Sequence, residues 1–239
     1  MLTLFFVDNL PTTVGQIYEF DNDDVLHAIR VLRTKSGDFF NLSDGKGNWS
    51  RVEAKEVHKK HMSVEVLKTG HEAALGTHFT VIQAIPKGDR IKEAIELCTE
   101  GGADRIVMWK AARSIGKSDD KIEKLQTTAR EASKQSRRLR IPEVTDIATT
   151  QQICEAIKLS DLAIVFHEST TTKLSDAISS HNVASLLVII GPEGGITPTE
   201  LDQFVEAGAK VALMGRPILR SAHAGIAAVA AISALLKVW

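Results

Sequence analysis

From residue 78 onward, short apolar runs alternate with stretches of helical period, and this alternation constrains the fold more than any other feature of the chain. HFTVIQAI, RIVMW, DLAIVFHE, SLLVII and KVALM read as strands. Between and after them, DRIKEAIELCTEGGA, DDKIEKLQTTAREASKQSRR, TQQICEAIK, a piece near Leu174–Ser179, residues 198–207 and a last segment from Ser221 read as helices. Strands separated by helices predict a mostly parallel sheet covered on both faces, because parallel neighbours need a crossover that packs back onto the sheet.

The first 70 residues have a different character. QIYEF, DFFNLSD, WSRVEAKEV and MSVEVLK are short, partly alternating runs, and SDGKGNW places Asp-Gly and Gly-Asn turn chemistry between two of them. One helix interrupts, NDDVLHAIRVLR, with Val25, Ile29 and Leu32 at helical spacing behind an Asn-Asp-Asp start. Several short strands with one helix predict a small β-barrel over residues 1–70. KTGHEAALGTH lacks periodicity, so a linker is expected at 71–78 and an α/β domain over 79–239.

The net charge of −1 conceals an uneven distribution. Residues 105–140 hold 11 Lys and Arg against 4 Asp and Glu, a net of +7, whereas the segments on either side are each −4. Three arginines fall in QSRRLR, which favours contact with a polyanion over a merely solvated helix face. Cys98 and Cys154 have no metal-type spacing, so no metal site and no disulfide framework is expected. The opening MLTLFFVDNLP has no basic start and meets Asp8 early, unlike a secretory leader, and Ile226–Leu236 is too short for a membrane span. A cytoplasmic protein without a membrane partner is the expectation.

The loop in LLVIIGPEGGITPTEL lies where a parallel sheet places its ligands, past a strand's C-terminal end and before a helix. Thr197, Pro198 and Glu200 supply an N-cap, a first-turn proline and a capping-box acid. The loop is not built for a nucleotide phosphate: it has neither G-x-G-x-x-G nor G-K-[ST], and Glu193 puts a carboxylate where an anion would sit. It suits a ligand that is neutral or cationic at the glycines, or else it is only a tight turn. ALMGRPILRSAHAG repeats the design, and its helix is rich in small residues that permit close approach of another helix or of a threading chain. With VFHEST, three strand ends in the last eighty residues carry small or polar groups, as a pocket lined by backbone requires.

IIGPEGGITPTEL and LMGRPILR resemble the RsmE family of 16S rRNA uridine-N3 methyltransferases, of the knotted SPOUT class. HAIRVLR, SDGKG, QAIPKGDR, TEGGADRIVMWKAARS, AREASKQSRR and IPEV extend the resemblance, in order, over nearly the whole chain. It implies a small PUA-like β-barrel followed by an α/β methyltransferase domain, mostly parallel, whose C-terminal segment forms a trefoil knot. It implies S-adenosyl-L-methionine as cofactor, a homodimer, and 16S rRNA of the small ribosomal subunit as partner. The cofactor carries no phosphate and a positive sulfonium, compatible with an acid in the glycine loop.

Residue by residue, the resemblance assigns the cofactor to Phe166, His167, Gly191, Pro192, Glu193, Gly194, Met214, Gly215, Ile218 and Leu219. Glu193 either faces that ligand or stabilises its own loop. Arg113 and Arg220 are the expected catalytic residues, Arg113 orienting the base or, equally, holding a phosphate. Ser114, Gln135 and Arg138 match RNA-contacting positions, and His27, Arg30 and Arg33, spaced as one helical face, are assigned to RNA in the barrel. Two positions depart from the family's commoner pattern. Ala222 stands where many relatives have an acid, so it cannot be the general base, and His223 either replaces it or is an ordinary helix-start side chain. Lys134 also replaces an acid and is expected to add to the basic surface.

Overall fold

A computed structural model describes residues 2–88, 90–115, 122–178 and 182–239. The starts of two expected helices, at Asp89 and at Asp119–Asp120, and the end of a third at Ser179, lie outside the described residues. The chain divides into two compact units, Met1–Ala74 with Ser133–Ile141, and Leu75–Ala132 with Pro142–Trp239.

The first unit holds β1 (Leu4–Phe6), β2 (Ile17–Phe20), α1 (Asp23–Arg30), β3 (Phe39–Ser43), β4 (Asn48–Val57) and β5 (Met62–His71). They form a mixed half-barrel sheet in the order β1-β3-β4-β5-β2, with β1 parallel to β3 and the other pairs antiparallel. Alternation sends Phe40, Leu42, Val52, Val64 and Val66 into one apolar core, where the rings of Phe5, Phe20 and Phe40 meet with centroids 5.4 to 6.0 Å apart. Gly45 and Gly47 both take positive φ in the β3–β4 turn. Residues 139–141 run beside this turn: Gly47 N–H donates to the Leu139 carbonyl at 3.0 Å and Ile141 N–H to the Gly45 carbonyl at 2.9 Å.

The helix α1 begins as expected, with the Asn22 side chain accepting from Asp24 N–H. It ends at Arg30, before Arg33, whose φ of 55° lies in the left-handed region. Arg33 therefore does not share a helical face with His27 and Arg30. Leu32 is likewise outside the helix and 45% exposed, so the apolar repeat overran the element.

The second unit contains β6 (His78–Ala84), α2 (Arg90–Glu100), β7 (Arg105–Trp109), most of α3 (Ile122–Ser136), β8 (Glu143–Ala148), α4 (Thr150–Lys158), β9 (Leu162–Phe166), α5 (Leu174–Ala177), β10 (Ser185–Ile190), α6 (Pro198–Glu206), β11 (Lys210–Ala212) and α7 (Ser221–Leu235). The sheet order is β11-β9-β10-β6-β7-β8, with every pair parallel. The central strands β6 and β10 are nearly continuous apolar runs because both faces are covered. One face packs Ile153, Ile157 and Phe204 onto the sheet, with Phe204 against Trp109 at 5.2 Å between ring centroids.

On the other face α2 packs on α7, and the small residues of α7 have their reason here. A Cβ at Gly225 would stand 2.5 Å from Cys98 Sγ, and one at Gly101 would stand 2.9 Å from Ile226 Cγ1. Helix against helix accounts for the small stripe at these two points.

Candidate active site

The three strand ends singled out in the sequence belong to β11, β9 and β10, which are consecutive neighbours in the sheet. Parallel register sends the loops that follow Phe166, Ile190 and Ala212 out of the same edge. Phe166 and His167 are half-buried at the end of β9, and His167 N–H donates to the Ala212 carbonyl at 3.2 Å. Ser169 Oγ lies 2.8 Å and its backbone N 3.2 Å from His167 Nδ1. Met214 is half-buried, whereas Gly215, Ile218, Leu219 and Arg220 are exposed, Ile218 at 87%.

In the glycine loop, Pro192 is buried and Gly191 has no room for a side chain, since a Cβ would meet Ile196 Cγ1 at 2.8 Å. Both oxygens of Glu193 accept from Lys87 N–H at 3.3 Å, tying this loop to the one after β6. The partner of this acid is thus a neighbouring loop rather than its own. Gly194 is held from the far side: Arg113 Nη1 donates to its carbonyl at 3.2 Å, and a Cβ on Gly194 would stand 3.0 Å from that of Arg113.

Two ties that hold this edge together were not foreseen. Glu200 completes the expected capping box at α6, Oε2 accepting from Thr197 N–H and Oγ. Its other oxygen accepts from Ala112 N–H at 2.7 Å, anchoring the residue before Arg113. The second tie starts at Gln83, the buried polar residue near the end of β6. Gln83 Nε2 donates to Ser221 Oγ at 2.9 Å and to the Ala84 carbonyl, and Ser221 Oγ donates to the Gly191 carbonyl at 2.8 Å. The first residue of α7 is thus bonded to the strand end that opens the glycine loop. A polar residue inside an apolar strand was the available signal for Gln83; nothing in the sequence pairs Ser221 with Gly191.

Ala222 is buried, so this position offers no acid and no access. His223 Nε2 lies 3.5 Å from Glu93 Oε1, both side chains about half exposed. Ser114 Oγ is buried and has no hydrogen-bond partner among the described residues. His27, Arg30, Arg33 and Gln135 are exposed in the first unit. Lys134 corrects its expectation: Nζ meets Asp24 Oδ1 at 2.6 Å with only 13% of its side chain exposed, so it pins the end of α3 to α1 and adds little to the basic surface. Arg138 is half-buried in the same segment, and Arg140 donates to the Glu72 carbonyl at 2.7 Å.

The residues present fit S-adenosyl-L-methionine by their chemistry. Phe166, Met214 and Leu219 supply apolar side chains at or after the ends of adjacent strands, and the charged side chain of the glycine loop is an acid. That set suits a neutral heterocycle next to a sulfonium and does not suit a phosphate. No group of three His, Cys, Asp or Glu able to hold a metal occurs among the described residues, and no helix among them is long and apolar enough to cross a membrane.

Comparison with known proteins gives the family. A family model for the RNA methyltransferase domain matches residues 73–233, and one for the RNA methyltransferase PUA domain matches 20–67. Ribosomal RNA small subunit methyltransferase E of Mycobacterium bovis is 35% identical over 99% of this chain and 93% of its own. The Bacillus subtilis protein of the same name is 30% identical over 97% of this chain and 93% of its own. The crystal structure of ribosomal RNA small subunit methyltransferase E from Neisseria gonorrhoeae bound to S-adenosyl methionine superposes with a TM-score of 0.86, at 27% identity and 98% coverage of both chains. With one unit built on an all-parallel sheet, another on a PUA-like half-barrel, and full-length similarity to these enzymes, the chain belongs to the RNA methyltransferase family that includes ribosomal RNA small subunit methyltransferase E.

Proposed function

We propose that this protein transfers a methyl group from S-adenosyl-L-methionine to N3 of a specific uridine in 16S rRNA of the small ribosomal subunit. The observation that carries the reading is the convergence at one sheet edge of three loops on adjacent strands, with Arg113 fixed across them onto Gly194. Full-length similarity to small-subunit methyltransferases supports the substrate.

When bound, the cofactor supplies an electrophilic methyl on a sulfonium. Phe166, His167, Gly191, Pro192, Glu193, Gly194, Met214, Gly215, Ile218 and Leu219 hold it, largely through backbone and apolar contact. The protein's remaining task is positioning. Uracil N3 carries a proton and is engaged when the base pairs, so the base must be turned out of its helix. Arg113, its loop fixed by Glu200 and Gly194, orients the base and stabilises charge developing on the uracil carbonyls as the N3 proton leaves. Arg220, exposed just before α7, assists from the opposite loop.

Residues 1–70, together with Ser133–Ile141 of the same compact unit, serve as the RNA-binding domain and the rest of 79–239 as the catalytic domain, joined at 71–78. His27, Arg30, Arg33, Ser114, Gln135 and Arg138 contact RNA. The protein acts in the cytoplasm as a homodimer; the adjacent exposed apolar side chains of Ile218 and Leu219 support the dimer. The segment from Gly215 into α7 belongs to a trefoil knot, a reading supported by the bond from Ser221 back to Gly191.

A transfer assay with labelled cofactor tests this reading, with small subunits lacking the modification offered beside free 16S rRNA and bulk tRNA. Label in small-subunit rRNA is the expected result. No label on any of the three, from protein that binds the cofactor, would replace it with a non-catalytic rRNA-binding role.

A further inference from the structure

The outer face of the half-barrel, away from its apolar core, carries a groove of about 620 Å³. Its lining includes Phe39, Asn41, Arg51, Leu67, Arg137 and Leu139, all within the first unit, and contains no acidic residue. The sheet register explains why these side chains meet. Asn41 pairs with Arg51, so the two share a face, and Phe39 lies two residues along the same strand on that face. Phe40, Leu42 and Val52 alternate with them into the core. At the register shift in β4–β5, Arg51 pairs with Lys68 and Val52 with Val66, which leaves Leu67 as the extra residue beside the groove. Arg137 and Leu139 come from the segment bonded along the β3–β4 turn, and Arg137 has a φ of 60°, a conformation that residues with side chains rarely adopt.

Three features of this groove are unexplained by folding. Phe39 is an aromatic residue left 50% exposed in a strand. Arg51 and Arg137 are exposed and form no ion pair among the described residues, whereas Lys134 is paired with Asp24 and Arg140 donates to the Glu72 backbone carbonyl. The buried Oδ1 of Asn41 has no hydrogen-bond partner among the described residues, so this amide can turn toward a ligand without losing a bond to them there. An exposed ring, an uncommitted amide and two uncommitted guanidiniums are the parts with which proteins hold an unpaired nucleotide: stacking, base-edge hydrogen bonding and phosphate contact.

We propose that this groove binds one unpaired nucleotide of the RNA substrate, its base stacked on Phe39 and facing Asn41, with Arg51 and Arg137 on the flanking phosphates. The proposal rests on the RNA substrate proposed above and adds a subsite separate from the sheet edge where methyl transfer is placed. Its volume is within the range of small-molecule sites, about 300 to 1,000 Å³.

The test uses the full-length protein and fluorescein-labelled octauridylate, with inorganic polyphosphate as a polyanion lacking bases. Phe39→Ala is expected to weaken octauridylate binding about tenfold and leave polyphosphate binding unchanged, with Phe39→Trp restoring it. Arg51→Gln is expected to weaken both ligands and reduce the salt dependence by about one phosphate contact. Circular dichroism and melting confirm that each variant is folded. A folded Phe39→Ala that binds octauridylate within twofold of wild type overturns the proposal, as does a shift from dimer to monomer on sedimentation, which would make the groove a subunit interface. Methyl transfer by the same wild-type preparation is scored separately. Transfer with Phe39-independent binding removes the groove and keeps the enzyme; Phe39-dependent binding without transfer does the reverse.

Discussion

Arg113 Nη1 donates to the Gly194 carbonyl at 3.2 Å, joining the loop after β7 to the glycine loop after β10 across the intervening strand β6. An exposed guanidinium held by one of its donors keeps the others free for a substrate, and Glu200 fixes the backbone one residue earlier.

Arg113→Ala is therefore expected to lower kcat by about 10²- to 10³-fold, the usual loss when a donor to developing charge is removed. Cofactor affinity should stay within about fivefold of wild type, since a single exposed bond to Gly194 is worth about 1 kcal/mol or less. Titration calorimetry with S-adenosyl-L-methionine beside steady-state kinetics separates the two effects. A cofactor affinity that falls as far as kcat would make Arg113 a loop-holding residue only.

Ser221→Ala breaks the chain from Gln83 to Gly191. Gln83 Nε2 then keeps only the Ala84 carbonyl, and the Gly191 carbonyl loses its hydroxyl donor. Leaving such buried groups unpaired costs about 1 to 3 kcal/mol. At this chain length that lowers Tm by about 2 to 4 °C per kcal/mol. Calorimetric melting checks this, and an unchanged Tm would show that the tie is dispensable.

Gly225→Ala should also destabilise, despite the helix propensity of alanine. The new Cβ would meet Cys98 Sγ at 2.5 Å, and Val81 and Gln83 leave no slack beyond it. Overpacking of this kind costs about 1 to 3 kcal/mol, against a propensity gain of about 1. Burial pushes the Cys98 thiol up to about 12, so it is an uncharged packing group at neutral pH. Adding Cys98→Ala should recover part of the loss, and a double-mutant cycle by denaturant unfolding measures it.

Asp161 serves stability at the opposite edge of the sheet. Its carboxylate accepts from Ser185 N–H at 2.8 Å, Ser185 Oγ at 3.2 Å and Ala184 N–H at 3.0 Å. The bonds from Ser185 hold its pKa below the ordinary 3.8. A carboxyl depressed by folding stabilises above its unfolded pKa and loses that contribution as pH falls through the native one. Asp161→Ala should accordingly lower Tm at pH 7, with the gap to wild type closing below about pH 4. A gap independent of pH would mean that the charge is irrelevant.

The sheet and the glycine loop were legible because their signals are local. SLLVII and TPTEL state a buried strand and a capped helix within seventeen residues, and the structure has both. β1 and β8 were missed: one is three residues long, and the other, EVTDIA, lies at a sheet edge where the polar-apolar pattern is weak. The helix that seemed to carry Arg33 stops at Arg30, since an apolar repeat does not encode where a chain turns. Lys134 on Asp24, Ser221 on Gly191 and the groove under Arg137 join residues far apart in sequence, and no spacing rule brings them together.

Nucleoside analysis after methyl transfer tests the central claim most directly. Small subunits lacking the modification are incubated with labelled S-adenosyl-L-methionine and either wild-type protein or Arg113→Ala, and the rRNA is digested to nucleosides. Label is expected in N3-methyluridine from 16S rRNA with wild type and about a hundredfold less with the variant. Label in any other nucleoside, or equal label from the two proteins, would contradict it.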